Sequence, residues 1–251
     1  MINPVQKIQN WNYNVKLVFL FSLLQSIGSG IWMGNVLSMY IYFLSDSSNI
    51  LLGLTSLAMG LTMTAVVFPA GYLADKFRRD WILRIAAVCG VISLIIIFFA
   101  QDLLAIVIAL TFWGLYQGLT RPALEALFAD SIPSGGRSKI YSWRNFTMQI
   151  ARAMGPFLNV LLFWWLGDDW DLWILQSVMA VGLLFSLGSL IVMVFFRDHF
   201  SLGKDSESLT LDQLSSPTSS VREEPYQATE ELIRKPPFLK RFFSFKIRDK
   251  R

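Results

Sequence analysis

The sequence predicts an all-α membrane protein with six transmembrane helices, on the basis of its composition, its apolar runs and the placement of its cations. Of the 251 residues, 54% are hydrophobic and 16% are charged, whereas an ordinary soluble domain is about 45–50% apolar and about 25% charged. A helix that crosses a bilayer core about 30 Å thick needs roughly 20 mostly apolar residues. Six runs meet this requirement, at residues 17–44, 50–73, 81–100, 103–127, 145–166 and 173–196.

Lysine and arginine occur on alternate loops between these runs. The segments 45–49, 101–102 and 167–171 contain neither. The N-terminal segment, the loops after the second and fourth runs, and the segment after the sixth run all contain them. Because short cytoplasmic loops hold cations and translocated loops avoid them, we expect both ends of the bundle in the cytoplasm. This topology accounts for the net charge of +4, so no nucleic-acid partner is expected.

The first two runs carry polar and small residues at helical spacing. In the first run such residues recur at three- and four-residue steps and share one face. They are Gln25, Gly28, Trp32, Asn35 and Met39. The second run has a stripe of small residues that suits close packing between helices in a membrane. The stripe consists of Gly53, Ser56, Gly60 and Thr64.

The fourth and fifth runs show the same kind of polar face, and the third and sixth do not. The face of the fourth run consists of Trp113, Gln117, Thr120 and Arg121. The face of the fifth run consists of Met148, Arg152, Gly155 and Asn159. The third and sixth runs are almost uniformly apolar, so we expect them to face lipid. This order, with the apolar run last in each set of three, is typical of an inverted three-plus-three repeat.

The domain organisation follows from a change of composition near residue 200. We expect a cytoplasmic N-terminus at 1–16, the six-helix bundle at 17–200 and a flexible cytoplasmic linker or tail at 201–251, because residues 201–231 hold few large apolar groups. The tail ends in cations interleaved with Phe and Leu. This end either lies on the anionic inner leaflet or is a basic approach to a further membrane segment.

Cysteine usage excludes several kinds of site. The only cysteine, Cys89, lies inside the third run, so no intrachain disulfide and no cysteine zinc site can form. We therefore predict no metal site and no cofactor.

The stretch GYLADKFRRDWIL, residues 71–83, places five charges between two apolar runs. It resembles the signature Gly-x-Leu-Ala-Asp-Arg/Lys-x-Gly-Arg-Arg/Lys of the major facilitator superfamily, which lies in the loop between the second and third helices of that family. The matching residues are Gly71, Leu73, Ala74, Asp75, Lys76 and Arg79. Arg78 and Asp80 depart from the signature, because the family usually has Gly and a cation there.

The signature residues have individual physical interpretations. Gly71 permits a tight backbone approach where two helices converge. Asp75 lies four residues before Arg79, so the two can form an ion pair at the water boundary. The resemblance implies further that Asp75 contacts a helix N-terminus in the second half of the transporter and stabilises the outward-open state.

A second region, residues 121–146, resembles the passage between the fourth and fifth helices of drug-exporter-like members of the family. Asp130 matches an acidic partner of the loop charges, which implies a conformational switch made of Gly71, Asp75, Arg79 and Asp130. Ala151, Gly155 and Pro156 match an exporter motif. Asn159 and Val160 stand where that motif continues with glycines, and Gly114 stands where many members have a proton-linked arginine.

Four ionisable residues lie inside the apolar runs, where a charge at the bilayer centre costs roughly 2.5–3.5 kcal/mol. They are Arg84, Arg121, Glu125 and Arg152, all expected within one or two turns of the cytoplasmic surface. Arg121 and Glu125 are four residues apart and are expected to pair, with contact to substrate as the alternative. Arg152 has no obvious local partner, which favours a role in a cavity.

The resemblance also implies which helices line a substrate cavity, namely the first and the fourth. The candidate cavity residues are Gln25, Trp32, Asn35, Trp113, Gln117, Arg121, Arg152 and Asn159. Helix packing is the alternative interpretation of the stripe that contains Gln25, Trp32 and Asn35.

These patterns together predict a secondary transporter of a small solute that works by alternating access. The chain would supply the N-terminal half, and a second six-helix bundle would be needed. Its partners are the lipid bilayer, the solute and that second bundle, with proton coupling left open. A membrane scaffold or regulator derived from a transporter half is the alternative. No catalytic residue is predicted, because the only histidine, His199, lies outside the sixth run, so an enzyme is not expected.

Overall fold

The computed structural model describes residues 11–133, 136–167, 169 and 171–201. Within these ranges it consists of helices without strands: α1 (Tyr13–Trp32), α2 (Asn35–Leu44), α3 (Asn49–Lys76), α4 (Arg79–Phe99), α5 (Leu103–Asp130), α6 (Arg137–Leu166), α7 (Leu172–Val194) and a short 3-10 turn at Asp198–Phe200. Helices α1 and α2 form one span, Tyr13–Leu44, and six spans are long and apolar enough to cross a membrane. The six-helix prediction is therefore confirmed.

The structure does not describe most of the two predicted end segments. All of the tail after Ser201, and most of the predicted N-terminal segment at 1–16, lie outside the described residues. The domain boundaries proposed from composition stay predictions.

Capping side chains explain where several helices begin. The Asp102 side chain accepts a hydrogen bond of 2.7 Å from the first turn of α5. The Ser48 hydroxyl accepts one of 3.4 Å from the first turn of α3, and the Asn12 side chain accepts one of 3.0 Å from the start of α1. Each bond satisfies a backbone N–H that has no partner within its own helix.

The first apolar run is interrupted, although a single helix was expected over 17–44. α1 ends at Trp32, and α2 starts at Asn35 after Gly34, whose φ and ψ of −82° and −125° are not helical. No side chain caps α2. The break separates the first span into two helices that meet at Met33 and Gly34.

Helix packing repeats between the first and second sets of three spans. α5 packs against α3 and α4, while α1 packs against α6 and α7. α4 packs against α7 across the centre. If each span is replaced by its counterpart in the other set of three, the same pairs of neighbours result. This is the three-plus-three arrangement that the sequence predicted.

Glycines permit the closest of these helix contacts. A Cβ atom at Gly155 of α6 would overlap the backbone of Gly30 in α1. A Cβ atom at Gly114 of α5 would lie 2.6 Å from the carbonyl oxygen of Met59 in α3. Many members of the family that the sequence resembles have an arginine at the position of Gly114. In this chain the backbone of α3 leaves no space for that side chain.

The second and fifth spans are much less buried than the other four. Within the apolar window of each span, 6% of α3 and 11% of α6 is buried, against 44% in each of the remaining spans. Burial within the bundle does not show which spans face lipid, so the expectation that the third and sixth runs are the lipid-facing members stays a prediction. α4 and α7 pack against each other and against the inner helices, so only part of their apolar surface faces outward.

The small-residue stripe of α3 also faces outward. A Cβ atom built on Gly53 or Gly60 would meet no atom of the described chain within 4 Å. α3 packs instead through larger residues such as Met59 and Met63, which lie against Gly114 and Gly118 of α5. The glycines that allow close packing therefore belong to α5, and the expected packing role of the α3 stripe is not seen within this bundle.

Candidate functional site

Two adjacent cavities lie along the face formed by α1, α2, α5 and α6. The first cavity has a volume of about 720 Å³ and is lined by α1, α5 and α6. The second has a volume of about 620 Å³ and is lined by α1, α2 and the later part of α6. Gly30, Gly34 and Pro156 line both. The two cavities therefore lie on either side of the crossing of α1 and α6.

Six of the eight candidate cavity residues line these volumes. The first cavity is lined by Gln25, Gln117, Arg121 and Arg152, and the second by Asn35 and Asn159. Gln25 accepts a hydrogen bond of 2.6 Å from the Ser189 hydroxyl of α7. Asn159 donates to the carbonyl oxygen of Ile31 at 3.2 Å, while its own side-chain oxygen has no partner in the part of the chain described.

The two tryptophan candidates lie in the packed interior instead. Trp32 and Trp113 are fully buried, and their rings contact edge to face at 5.1 Å. The Trp32 indole donates to the Ser186 hydroxyl of α7 at 2.9 Å. Neither residue lines the two cavities, because large aromatic side chains fill the space where the two three-helix sets meet. Packing between helices therefore describes the position of both tryptophans.

Arg144 of α6 makes a network that the sequence did not reveal. Its guanidinium donates to both carboxylate oxygens of Glu125, at 2.7 and 2.9 Å. It also donates to the Ser22 hydroxyl at 3.2 Å and lies 4.9 Å from the ring centre of Phe128. This nearly buried side chain thereby joins α1, α5 and α6 beside the first cavity. The fifth apolar run begins at residue 145, so the sequence alone places Arg144 in the preceding loop.

The predicted pair of Arg121 and Glu125 does not form. Arg144 reaches Glu125 from the facing helix, and one terminal nitrogen of its guanidinium donates to both carboxylate oxygens. Arg121 instead donates to the side-chain oxygen of Gln117 at 3.4 Å. Its charge has no carboxylate partner within the described part of the chain.

Arg152 lies near the middle of α6. The helix begins at Arg137, so Arg152 is about 22 Å, or about four turns, along it at 1.5 Å per residue. Its side chain makes no hydrogen bond or ion pair within the described ranges and lines the first cavity.

The signature loop forms a different ion pair from the one expected. Arg79 donates to Asp130 at 2.5 Å and to the carbonyl oxygen of Ala126 at 3.2 Å, which ties α4 to the end of α5. Asp75 is exposed and makes no ion pair with any described residue. The pairing of Asp75 with Arg79 was wrong, since the chain is extended at Phe77 and the two residues lie on different helices.

Gly71, the first residue of the proposed switch, has open surroundings. A Cβ atom built there would meet nothing within 4 Å of the described chain. The tight approach expected at this glycine is therefore absent within this bundle.

Comparison with known proteins identifies the family. The sequence model of the Major Facilitator Superfamily matches residues 16–246. The chain belongs to the major facilitator superfamily. It is accordingly a multi-pass integral membrane protein of a transporter family, as its six spans also indicate.

Of two curated relatives, one is named as a cation antiporter and the other as a transporter of this superfamily. The chain is 27% identical over 162 residues to a protein of Planococcus maritimus named "Na(+), Li(+), K(+)/H(+) antiporter", a match that covers 62% of this chain and 38% of that protein. It is 28% identical over 144 residues to the "Uncharacterized MFS-type transporter YdeE" of Escherichia coli (strain K12), which covers 56% of this chain and 35% of the relative. The matches thus span little more than a third of the relatives' length.

The structure explains one departure of this facilitator chain from the family signature. Asp80, where the family usually has a cation, is almost completely buried in the first turn of α4. It accepts from Arg78 at 2.9 Å, and Arg84 lies 3.9 Å away. A helix N-terminus favours a carboxylate, and here the two arginines replace the missing positive charge.

The described residues hold no group of three or more His, Cys, Asp or Glu side chains that could bind a metal ion. The polar groups that line the first cavity are amides, hydroxyls, guanidiniums and one carboxylate. These groups can bind a solute through hydrogen bonds and charge.

Proposed function

We propose that this chain is one bundle of a secondary active transporter that moves a small solute by alternating access, together with a second six-helix bundle. The observation that carries the proposal is the pair of adjacent cavities. They are lined from opposite ends of α6 and share Gly30, Gly34 and Pro156. A solute held at this junction could be reached from either end as the bundles rock.

The exposed spans support the need for a second bundle. α3 and α6 bury only 6% and 11% of their apolar windows, and both flank the face that contains the cavities. That face is lined by this chain on one side only. A second bundle packed there would cover α3 and α6 and close the cavities laterally.

The conformational switch proposed from the signature has two parts. Arg79 and Asp130 hold the end of α5 to α4. Asp75 and Gly71 lie on the open surface of α3, where a carboxylate can accept hydrogen bonds from the N-terminus of a helix in the second bundle. In this scheme Asp75 binds the second bundle in one conformation and is released in the other.

The proposed topology places both ends of the bundle in the cytoplasm, because the loops between α3 and α4 and between α5 and α6 carry the cations. The first cavity, which adjoins the Arg144 network, then faces the cytoplasmic side. Residues 201–251 would form the flexible linker toward the second bundle.

Cysteine accessibility from the two sides of the membrane tests this proposal. In a Cys89→Ser background, Gln117→Cys places a thiol in the first cavity and Asn35→Cys places one in the second. Labelling rates with a membrane-impermeant thiol reagent are measured in oriented vesicles. We expect Asp75→Asn to change the two rates in opposite directions, since loss of the carboxylate favours one conformation.

Asp46→Asn is the matched control, because Asp46 is an exposed acid of the loop between α2 and α3. It should leave both rates unchanged. Rates that do not respond to Asp75→Asn would contradict the switch. A thiol in the second cavity that reacts from the same side as one in the first would contradict alternating access and fit a static scaffold.

A further inference from the structure

The first cavity carries an excess of positive charge. Its lining includes three arginines, Arg121, Arg144 and Arg152, and a single carboxylate, Glu125. With every group ionised, the lining has a formal charge of +2. Glu125 is fully engaged by Arg144 through two hydrogen bonds, so the excess charge resides on the other two arginines.

Arg121 and Arg152 lack any neutralising partner among the described residues. Arg121 has one long hydrogen bond to an amide, and Arg152 has none. At 1.5 Å per residue, Arg121 lies about 14 Å from the end of α5 at Asp130, and Arg152 lies about 21 Å from the end of α6 at Leu166. A charge within an apolar span is costly and is characteristic of a substrate or ion pathway.

We infer that the first cavity binds a small organic anion, whose carboxylate or phosphate group is held by Arg121 and Arg152. Guanidinium groups bind both oxyanions through paired hydrogen bonds. The rest of the molecule would pack against Phe21, Met33 and Leu124, which supply apolar lining. This inference rests on the proposed transport function and names its substrate class.

The inferred charge of the substrate is opposite to that of the alkali cations named for the relative from Planococcus maritimus. A cation entering the first cavity would meet two unpaired guanidiniums and a carboxylate already bound to Arg144. Apolar walls of low polarisability strengthen the positive electric field of the guanidiniums. This field raises the local concentration of anions.

The charge of the cavity can be measured without knowing the substrate. In the Cys89→Ser background, Ser29→Cys places a thiol in the first cavity, which Ser29 lines. The thiol is reacted with an anionic sulfonatoethyl and a cationic trimethylammonioethyl methanethiosulfonate on the full-length protein. Each rate is divided by that of the same reagent with free cysteine. We expect the anionic reagent to be favoured about tenfold, as for electrostatic steering.

Matched variants assign that preference to the arginines. Arg152→Gln and Arg121→Gln should each reduce the ratio severalfold, while Arg152→Lys should retain it. Arg84→Gln removes the same charge outside the first cavity and should leave the ratio unchanged. A ratio near one in the unchanged background would overturn the inference, including the case in which carboxylates of a second bundle neutralise the arginines.

Three aromatic probes of similar shape test the substrate class directly. Benzoate, benzamide and benzylamine are compared, at equal concentration, for protection of the introduced thiol from a neutral reagent. Benzoate should protect best, and Arg152→Gln should abolish its advantage. Equal protection by all three, or best protection by benzylamine, would overturn the inference. Failure of every reagent to reach the thiol would instead contradict the cavity on which the proposed function depends.

Discussion

The outer surface of α3 differs from the interior of the bundle in how it uses small residues. Inside the bundle, glycines stand where backbones touch, as at Gly30 and Gly155. On the outer surface of α3, Gly53 and Gly60 touch nothing in the described chain. Glycine therefore lies at a contact between helix backbones in one region and on an open surface in the other.

This difference shows that composition alone does not distinguish a buried span from an exposed one. The inner helices α4 and α7 are the most uniformly apolar, yet they are 44% buried. α3 and α6 carry small and polar residues, yet they are the most exposed. Substitutions that compare the two regions can test this distinction.

The largest effect is expected at the crossing of α1 and α6. Gly155→Leu would force a side chain into the backbone of Gly30, so we expect a loss of about 3 kcal/mol, at the upper end for overpacking. Gly60→Leu, on the open face of α3, should change stability by less than about 0.5 kcal/mol. Unfolding of both variants in detergent, followed by circular dichroism, gives the comparison.

Equal losses in the two variants would show that α3 is already packed at Gly60. If a second bundle covers this face, Gly60→Leu should instead impair transport while the fold stays intact. The two readouts separate folding of this bundle from assembly with another.

An intermediate effect is expected in the Arg144 network. Arg144→Gln would remove contacts to Glu125 and Ser22, so we expect a loss of about 2 kcal/mol, less than for a fully buried pair because Glu125 is half exposed. Arg121→Gln removes an arginine without a carboxylate partner and should cost under about 0.5 kcal/mol. Thermal unfolding of both variants provides the measurement.

A double-mutant cycle isolates the ion pair itself. Arg144→Gln combined with Glu125→Gln should show a coupling of about 1 kcal/mol between the two positions. Additive losses would mean that Arg144 stabilises the bundle through Ser22 and Phe128 alone.

The smallest effect is expected in the signature loop. Asp130→Asn breaks a partly exposed pair with Arg79, and we expect a loss of about 1 kcal/mol at most. Asp75→Asn should leave the stability of the bundle unchanged, because Asp75 makes no ion pair within the described chain. Chemical denaturation at low and high salt should show a salt-dependent difference for Asp130 only.

The sequence was sufficient for features that depend on the bilayer and on the order of the chain. Apolar length predicted six spans, and the placement of polar faces predicted the exchange of neighbours between the two sets of three. The signature at residues 71–79 predicted the family, which the family match at 16–246 confirms.

The sequence was insufficient for contacts between helices. Spacing favoured Arg121 as the partner of Glu125, but α6 presents Arg144 to the same carboxylate from 19 residues away. Spacing also paired Asp75 with Arg79, but the extended residue Phe77 ends the helix between them. The rule for residues four apart holds only within one uninterrupted helix, and it gives no weight to partners from neighbouring helices.

The ends of the bundle are tied together by asparagine side chains. Asn12 donates to the carbonyl oxygen of Phe200 at 2.7 Å, and the buried Asn14 donates to that of Arg197 at 2.8 Å. A pull on the chain at residue 201 therefore reaches α1 through a short bridge of hydrogen bonds without passing through the other helices.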